Sequence, residues 1–119
     1  MSRKLSGRAQ EEEQKTAKSA VFFIYMHWVY IIYSTELDTY YVGETSDLER
    51  RMDWHNQKEF AYSFTAKAND WVLFHQIECK DITQARKIEK YIKDMKSRKY
   101  IENLKIYPEI TEKLLKRFI

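Results

Sequence analysis

Apolar and polar positions alternate in short blocks over the first half of the chain and recur at helical spacing over the second. "WVYIIY" at 28–33 and "TYYV" at 39–42 are β-branched and aromatic, and the polar "STELD" between them has the length of a hairpin loop, which predicts two antiparallel strands. Ser46, followed three residues later by Glu49, forms a capping box, and Asp47 suits the positive end of a helix dipole, so a helix is expected from about 47 to 56. Residues 57–69 are mixed and polar, a loop with a short turn. "WVLFHQIE" at 71–78 reads as a third strand. Asp81 then caps a long helix to about residue 96, with Ile82, Ala85, Ile88, Ile92 and Met95 forming its apolar stripe. Ser97 caps a shorter helix containing "RKYIENL", and Pro108 opens a last one in which Ile110, Leu114 and Phe118 recur every fourth residue. The expected fold is α+β, a small three-stranded antiparallel sheet flanked by helices. Residues 1–20 lack apolar periodicity, so 1–24 are expected to be a leader outside a single domain of 25–119, with Met26 an equally good start for the folded unit.

Composition agrees with one compact unit, since 119 residues with 44% hydrophobic and 15% aromatic content can bury a core. The net charge of +3 is uneven: residues 80–117 hold twelve Lys or Arg against six Asp or Glu, and the remainder nine against twelve. A basic half is what a phosphate-binding face needs, and it is equally what keeps helices solvated. The single cysteine, Cys79, excludes an internal disulfide and a multi-cysteine zinc site, and reads as a small half-buried hydrophobe. The longest apolar run, "VFFIYMHWVYIIY" at 21–33, contains His27 and is shorter than the roughly 18–20 residues that span a bilayer. With no secretory signal pattern beside it, the expectation is a cytoplasmic protein without a membrane partner.

Four features carry candidate chemistry. On the first helix Leu48, Arg51, Met52 and His55 share one face, and an arginine on an apolar stripe either snorkels outward or meets an anion. Arg50 points elsewhere. Glu89 interrupts the stripe of the long helix, so it is either half of a semi-buried ion pair, with Arg51 the candidate partner, or a metal ligand. His27, His55 and His75 are too scattered for a metal cluster, and an isolated helix histidine is more often structural than catalytic. Alternation puts Tyr41 and Gly43 on one side of the second strand and Tyr40 and Val42 on the other. Gly43, one of only two glycines, is expected to turn the backbone from strand into helix or to let a phosphate approach, though a plain strand terminator fits as well.

The order "VYI" (29–31), "YVG" (41–43), "DLERRMDWHN" (47–56), a late helical Glu and "EKYIKDMKSRKYIENL" (89–104) resembles the GIY-YIG nuclease family, in particular its small single-domain members, over roughly residues 27–104. The resemblance implies a metal-dependent endonuclease acting on DNA, and with it a DNA-repair setting. Position by position, it assigns catalytic roles to Tyr30, Tyr41, Arg51 and His55 and the metal-binding role to Glu89, with one Mg²⁺ or Mn²⁺ as the cofactor and no small-molecule cofactor. Lys93, Lys96, Arg98 and Lys99 of the later segment are the expected nucleic-acid contacts, and Asn103 is the nearest match to a further family asparagine. Two departures stand out: Trp28 replaces the first glycine of the family name, and Glu44 replaces a frequent lysine, which makes the local charge less favourable for phosphate.

In the implied mechanism, Glu89 holds the metal, Arg51 offsets charge on the phosphoryl oxygens, and Tyr41 orients or deprotonates the water. A phenol with an ordinary pKa of about 10 needs nearby cations for that last role. Tyr30 and His55 assist in water positioning or proton relay. A monomer or weak dimer is expected. Two other readings stay open from the sequence: a non-catalytic nucleic-acid-binding module of the same fold, and a protein-interaction domain using the abundant tyrosines.

Overall fold

The computed structural model describes residues 26–57 and 64–119. The expected leader at 1–24 and residues 58–63 of the expected loop after the first helix lie outside them. Among the described residues the elements run β1 (His27–Ser34), β2 (Thr39–Thr45), α1 (Leu48–Gln57), a 3₁₀ turn η1 (Phe64–Lys67), β3 (Val72–Cys79), α2 (Ile82–Met95), α3 (Arg98–Ile106) and α4 (Pro108–Arg117). The sheet is antiparallel with order β2-β1-β3, so the α+β architecture expected from the sequence is the one observed. No helix among the described residues is long and apolar enough to cross a membrane.

The central strand β1 divides two interiors because its successive side chains point to opposite faces. Val29 and Ile31 join Val42, Ile77, Cys79, Ala85, Ile88, Ile92, Leu104 and Leu114 in an apolar core beneath α2, α3 and α4. Tyr30 and Ile32 face the other way, onto Ala68 and Trp71, with Tyr41, Leu48 and Met52 packed alongside. The stripe Leu48, Met52 and His55 therefore does seat α1 on the sheet.

Helix ends follow local hydrogen bonding. Asp81 caps α2 by accepting from Gln84 N at 2.8 Å, and Ser97 caps α3 by accepting from Tyr100 N at 3.0 Å. Pro108 stands in the first turn of α4, where a missing N–H costs nothing. At α1 the cap is Asp47 rather than Ser46: its carboxylate accepts from Arg50 N at 3.1 Å, and Thr45 Oγ1 accepts from Asp47 N. The stripe of α2 is also shifted from the expected one. Ile82 and Met95 are exposed, and Gln84 is buried instead, accepting from Lys80 N at 2.8 Å and donating to Leu115 O at 3.1 Å. A glutamine with both ends of its amide satisfied can replace an apolar residue in a core. Cys79 is fully buried rather than half-buried, and burial pushes its thiol up to about 11.

Candidate active site

Gly43 lies inside β2, directly opposite Tyr30. It is not a turn residue: no glycine among the described residues has positive φ, and the strand continues to Thr45. Its missing Cβ makes room for Tyr30, because a Cβ there would stand 2.4 Å from the phenol oxygen and 2.5 Å from Cζ. The ring of Tyr30 thus lies across the backbone of β2 and reaches α1.

There it meets His55. Tyr30 Oη is 2.8 Å from His55 Nε2, and His55 Nδ1 is 2.7 Å from Thr65 Oγ1 on η1. All three are buried, at 1%, 5% and 2% exposure. Two further bonds hold η1 and the segment before β3 against this row: Trp71 Nε1 donates to Thr65 O at 2.8 Å, and the Asn56 amide brackets the Trp71 main chain, accepting from its N–H at 2.8 Å and donating to its carbonyl at 3.0 Å. The "HN" of α1 therefore has two jobs, one residue holding Tyr30 and the next holding Trp71. Burial and then the Arg51 charge depress His55 to about 4, so its imidazole is neutral at pH 7. Burial, then Tyr41, raises Tyr30 well above the ordinary phenol value against the opposing pull of Arg51, so it stays protonated.

The sequence-predicted site residues divide into two layers. Tyr30 and His55 form the buried layer, where both ring nitrogens of His55 are engaged within the protein. Tyr41, Arg51 and Glu89 stand closer to solvent. Tyr41 packs beside His55 and Tyr30, with centroid separations of 5.4 Å and 6.5 Å, and stacks on Phe64. Arg51 stands close enough to Tyr30 for its positive charge to pull against the rise in that phenol's pKa. Its guanidinium also sits 4.8 Å over Trp54, beside a polar pocket of about 220 Å³ lined by Thr45, Ser46, Asp47, Arg50, Arg51 and Trp54. Arg51 Nε is buried and has no hydrogen-bond partner among the described residues. A buried donor left unmade costs on the order of 1–3 kcal/mol, and an anion in the adjoining pocket would relieve it.

Glu89 does not pair with Arg51. Its ion pair is with Lys93, one turn along α2, at 3.2 Å. The same Lys93 ammonium stands 5.7 Å from the centroid of the Tyr41 ring, having reached round the β2 edge of the sheet. One cation thus neighbours both the acid and the phenol, and the field of Glu89 extends to Tyr30 as well. Among the described residues no three of His, Cys, Asp and Glu come together. A lone, one-fifth exposed carboxylate fits a hydrated Mg²⁺ or Mn²⁺, which takes one or two carboxylates and keeps its waters, and does not fit a structural zinc.

Two expectations about charge change. Glu44 faces the opposite side of the sheet from Tyr41, where His27 Nε2 is 2.7 Å from its carboxylate, off the line of a hydrogen bond, and Arg86 is 3.9 Å away. Its Oε2 is buried there and makes no hydrogen bond among the described residues. Arg98 is committed to the β1–β2 turn, donating to the Asp38 carboxylate at 2.6 Å and the Asp38 carbonyl at 2.9 Å, with Tyr40 stacked 5.1 Å away. Lys96 and Lys99 are exposed and carry no ion pair among the described residues. Asn103 lies half-buried on α3, where its carbonyl accepts from Tyr107 N. Thr65 and Trp71 had no signal as site residues in the sequence, and Asn56 had only its place at the end of "DLERRMDWHN". The Tyr30–Gly43 contact needed the observed register, in which Ser34 pairs with Thr39 and Tyr30 with Gly43; taking all of "STELD" as loop would set Tyr30 against Val42.

A family model described as the GIY-YIG catalytic domain matches residues 26–102. No curated protein and no solved structure matches the chain.

Proposed function

The chain belongs to the GIY-YIG family, a family of nuclease type, and on that premise we propose that it is a metal-dependent endonuclease hydrolysing phosphodiester bonds in DNA. The observation that carries the proposal is the meeting of Tyr41, Arg51 and Glu89 around Lys93 and Tyr30, with a buried donor on Arg51 that has no partner among the described residues. Arg51 binds the non-bridging oxygens of the scissile phosphate and offsets the charge that gathers on them. Tyr41 orients the attacking water, with Lys93 as the nearby cation. Glu89 holds a divalent ion, Mg²⁺ or Mn²⁺, which when bound polarises the phosphate and eases departure of the leaving oxygen. Lys93, Lys96 and Lys99 bind flanking phosphates, while Arg98 contributes by fixing the hairpin tip to α3. The placement of Glu44 on the opposite side of the sheet from Tyr41 supports this reading, because its carboxylate faces away from that phenol.

The test is plasmid nicking by the purified chain with Mg²⁺ or Mn²⁺. Wild type is expected to nick, and Glu89→Ala and Arg51→Ala to lose about 10²-fold or more, the usual cost of removing one group that stabilises the transition state. Absence of nicking by wild type, or full activity in both variants, rejects the proposal.

A further inference from the structure

Thr65 is a hydroxyl buried at 2% exposure, held by its own main chain to Trp71 and aimed at a histidine that never reaches solvent. Its effect follows from counting donors around Tyr30. The Tyr30 oxygen has one proton to donate and lone pairs to fill. Arg51 is a donor only, so it can satisfy a lone pair and cannot take the proton. Among the described residues the remaining partner is His55 Nε2 at 2.8 Å, which must then accept. A neutral imidazole that accepts on one nitrogen carries its proton on the other, and Nδ1 faces Thr65 Oγ1 at 2.7 Å.

We infer that Thr65 is a positioning residue, accepting from His55 Nδ1–H and so fixing the tautomer whose Nε2 takes the Tyr30 hydroxyl and leaves the phenol oxygen open to Arg51. The row Thr65, His55, Tyr30, Arg51 then runs from η1 through the buried layer to the guanidinium that would meet phosphate. Thr65 touches no substrate; it acts by aiming Arg51. The reverse tautomer would point Nε2–H at Tyr30, turn the phenol proton towards Arg51 and set two donors against each other. The neutral state of His55 at working pH is consistent with this arrangement, since a doubly protonated ring would present a donor to Tyr30 as well.

The catalytic part of this inference rests on the nuclease reading, and the tautomer part does not. The experiment is therefore two measurements on the full chain: the ring-nitrogen NMR signals of His55, and single-turnover nicking, for wild type, Thr65→Val and Thr65→Ser. Expected are an Nδ1-protonated His55 in wild type and Thr65→Ser, loss of that preference in Thr65→Val, and a fall in the Thr65→Val cleavage rate of about tenfold or more with substrate affinity nearly unchanged, restored in Thr65→Ser. His55 protonated on Nε2 in wild type overturns the inference even if Thr65→Val does not fold. So does an unchanged tautomer in a folded Thr65→Val, or an unchanged cleavage rate beside an altered tautomer. Should wild type show no nicking while its tautomer is as expected and changes in Thr65→Val, the nuclease reading fails and the positioning of Tyr30 by Thr65 stands.

Discussion

The two faces of the sheet are built from the same strand and solve opposite problems. Beneath α2, α3 and α4, β1 contributes Val29 and Ile31 to an interior in which nearly every side chain is apolar. On the other face its neighbours Tyr30 and Ile32 enter an interior laced with polar atoms, including His55 and Thr65, and bordered by Arg51 Nε, which has no partner among the described residues. The first face can repack after a change at modest geometric cost; the second depends on hydrogen bonds whose loss leaves a buried group unmet. Stability is concentrated on one side and orientation on the other, with Glu89 and Lys93 the part of the stable side that reaches across.

That contrast breaks most plainly at Ile88, which is fully buried in the apolar face. Ile88→Ala is expected to lower the unfolding free energy by about 2–5 kcal/mol, measured by denaturant titration, while the hydrogen-bonded row around His55 keeps its NMR signature in the folded fraction. Equal disturbance of both faces would mean they are not separate.

Next in size is the pH response of the polar face. The folded His55 holds off protonation to about 4, whereas the unfolded side chain takes a proton near 6.5. Above that value the contribution to stability is complete; as pH falls below it the unfolded chain binds the proton first and stability is lost, by up to roughly 2–3 kcal/mol at the acid end. His75, lowered by burial and then by Lys105, adds a loss of the same sign. The part that belongs to His55 is the portion of the slope between pH 6.5 and 5 that disappears in His55→Gln, read from denaturation at a series of pH values.

Gly43→Ala sharpens the comparison at a single contact. The new methyl meets the Tyr30 ring, which is itself pinned to His55, so a loss of about 1–3 kcal/mol is expected together with a displaced His55 resonance. An unperturbed His55 would show that Tyr30 moves freely and that the row is loose. The smallest effects belong outside both interiors. Lys96→Ala and Lys99→Ala should each leave stability within about 0.5 kcal/mol and reduce the salt slope of DNA binding by about 1.

Much of this architecture was legible before any coordinates, because each element has a local cause: strand composition around "STELD", caps at Asp81 and Ser97, Pro108 at a helix start. Tyr41, Arg51 and Glu89 were singled out by periodicity and by the order of motifs. What stayed hidden depended on contacts distant in the chain. Glu89 takes Lys93 and not Arg51 because the i,i+4 neighbour is always within reach, a cheap local pairing that competes with any remote one. Gly43 looked like a turn because glycine usually serves that end, and only strand register reveals a ring passing over it. Thr65 gave no signal at all, since a lone hydroxyl in a polar stretch becomes meaningful only when β3 and α1 bring it to His55.

The crossing of Tyr30 over Gly43 also constrains how sequences of this kind can drift. Positions 30 and 43 share one volume, so neither can be inherited independently of the other. A descendant that acquires a side chain at 43 should be found to have already surrendered the ring at 30, and with it the reason to retain a histidine at 55.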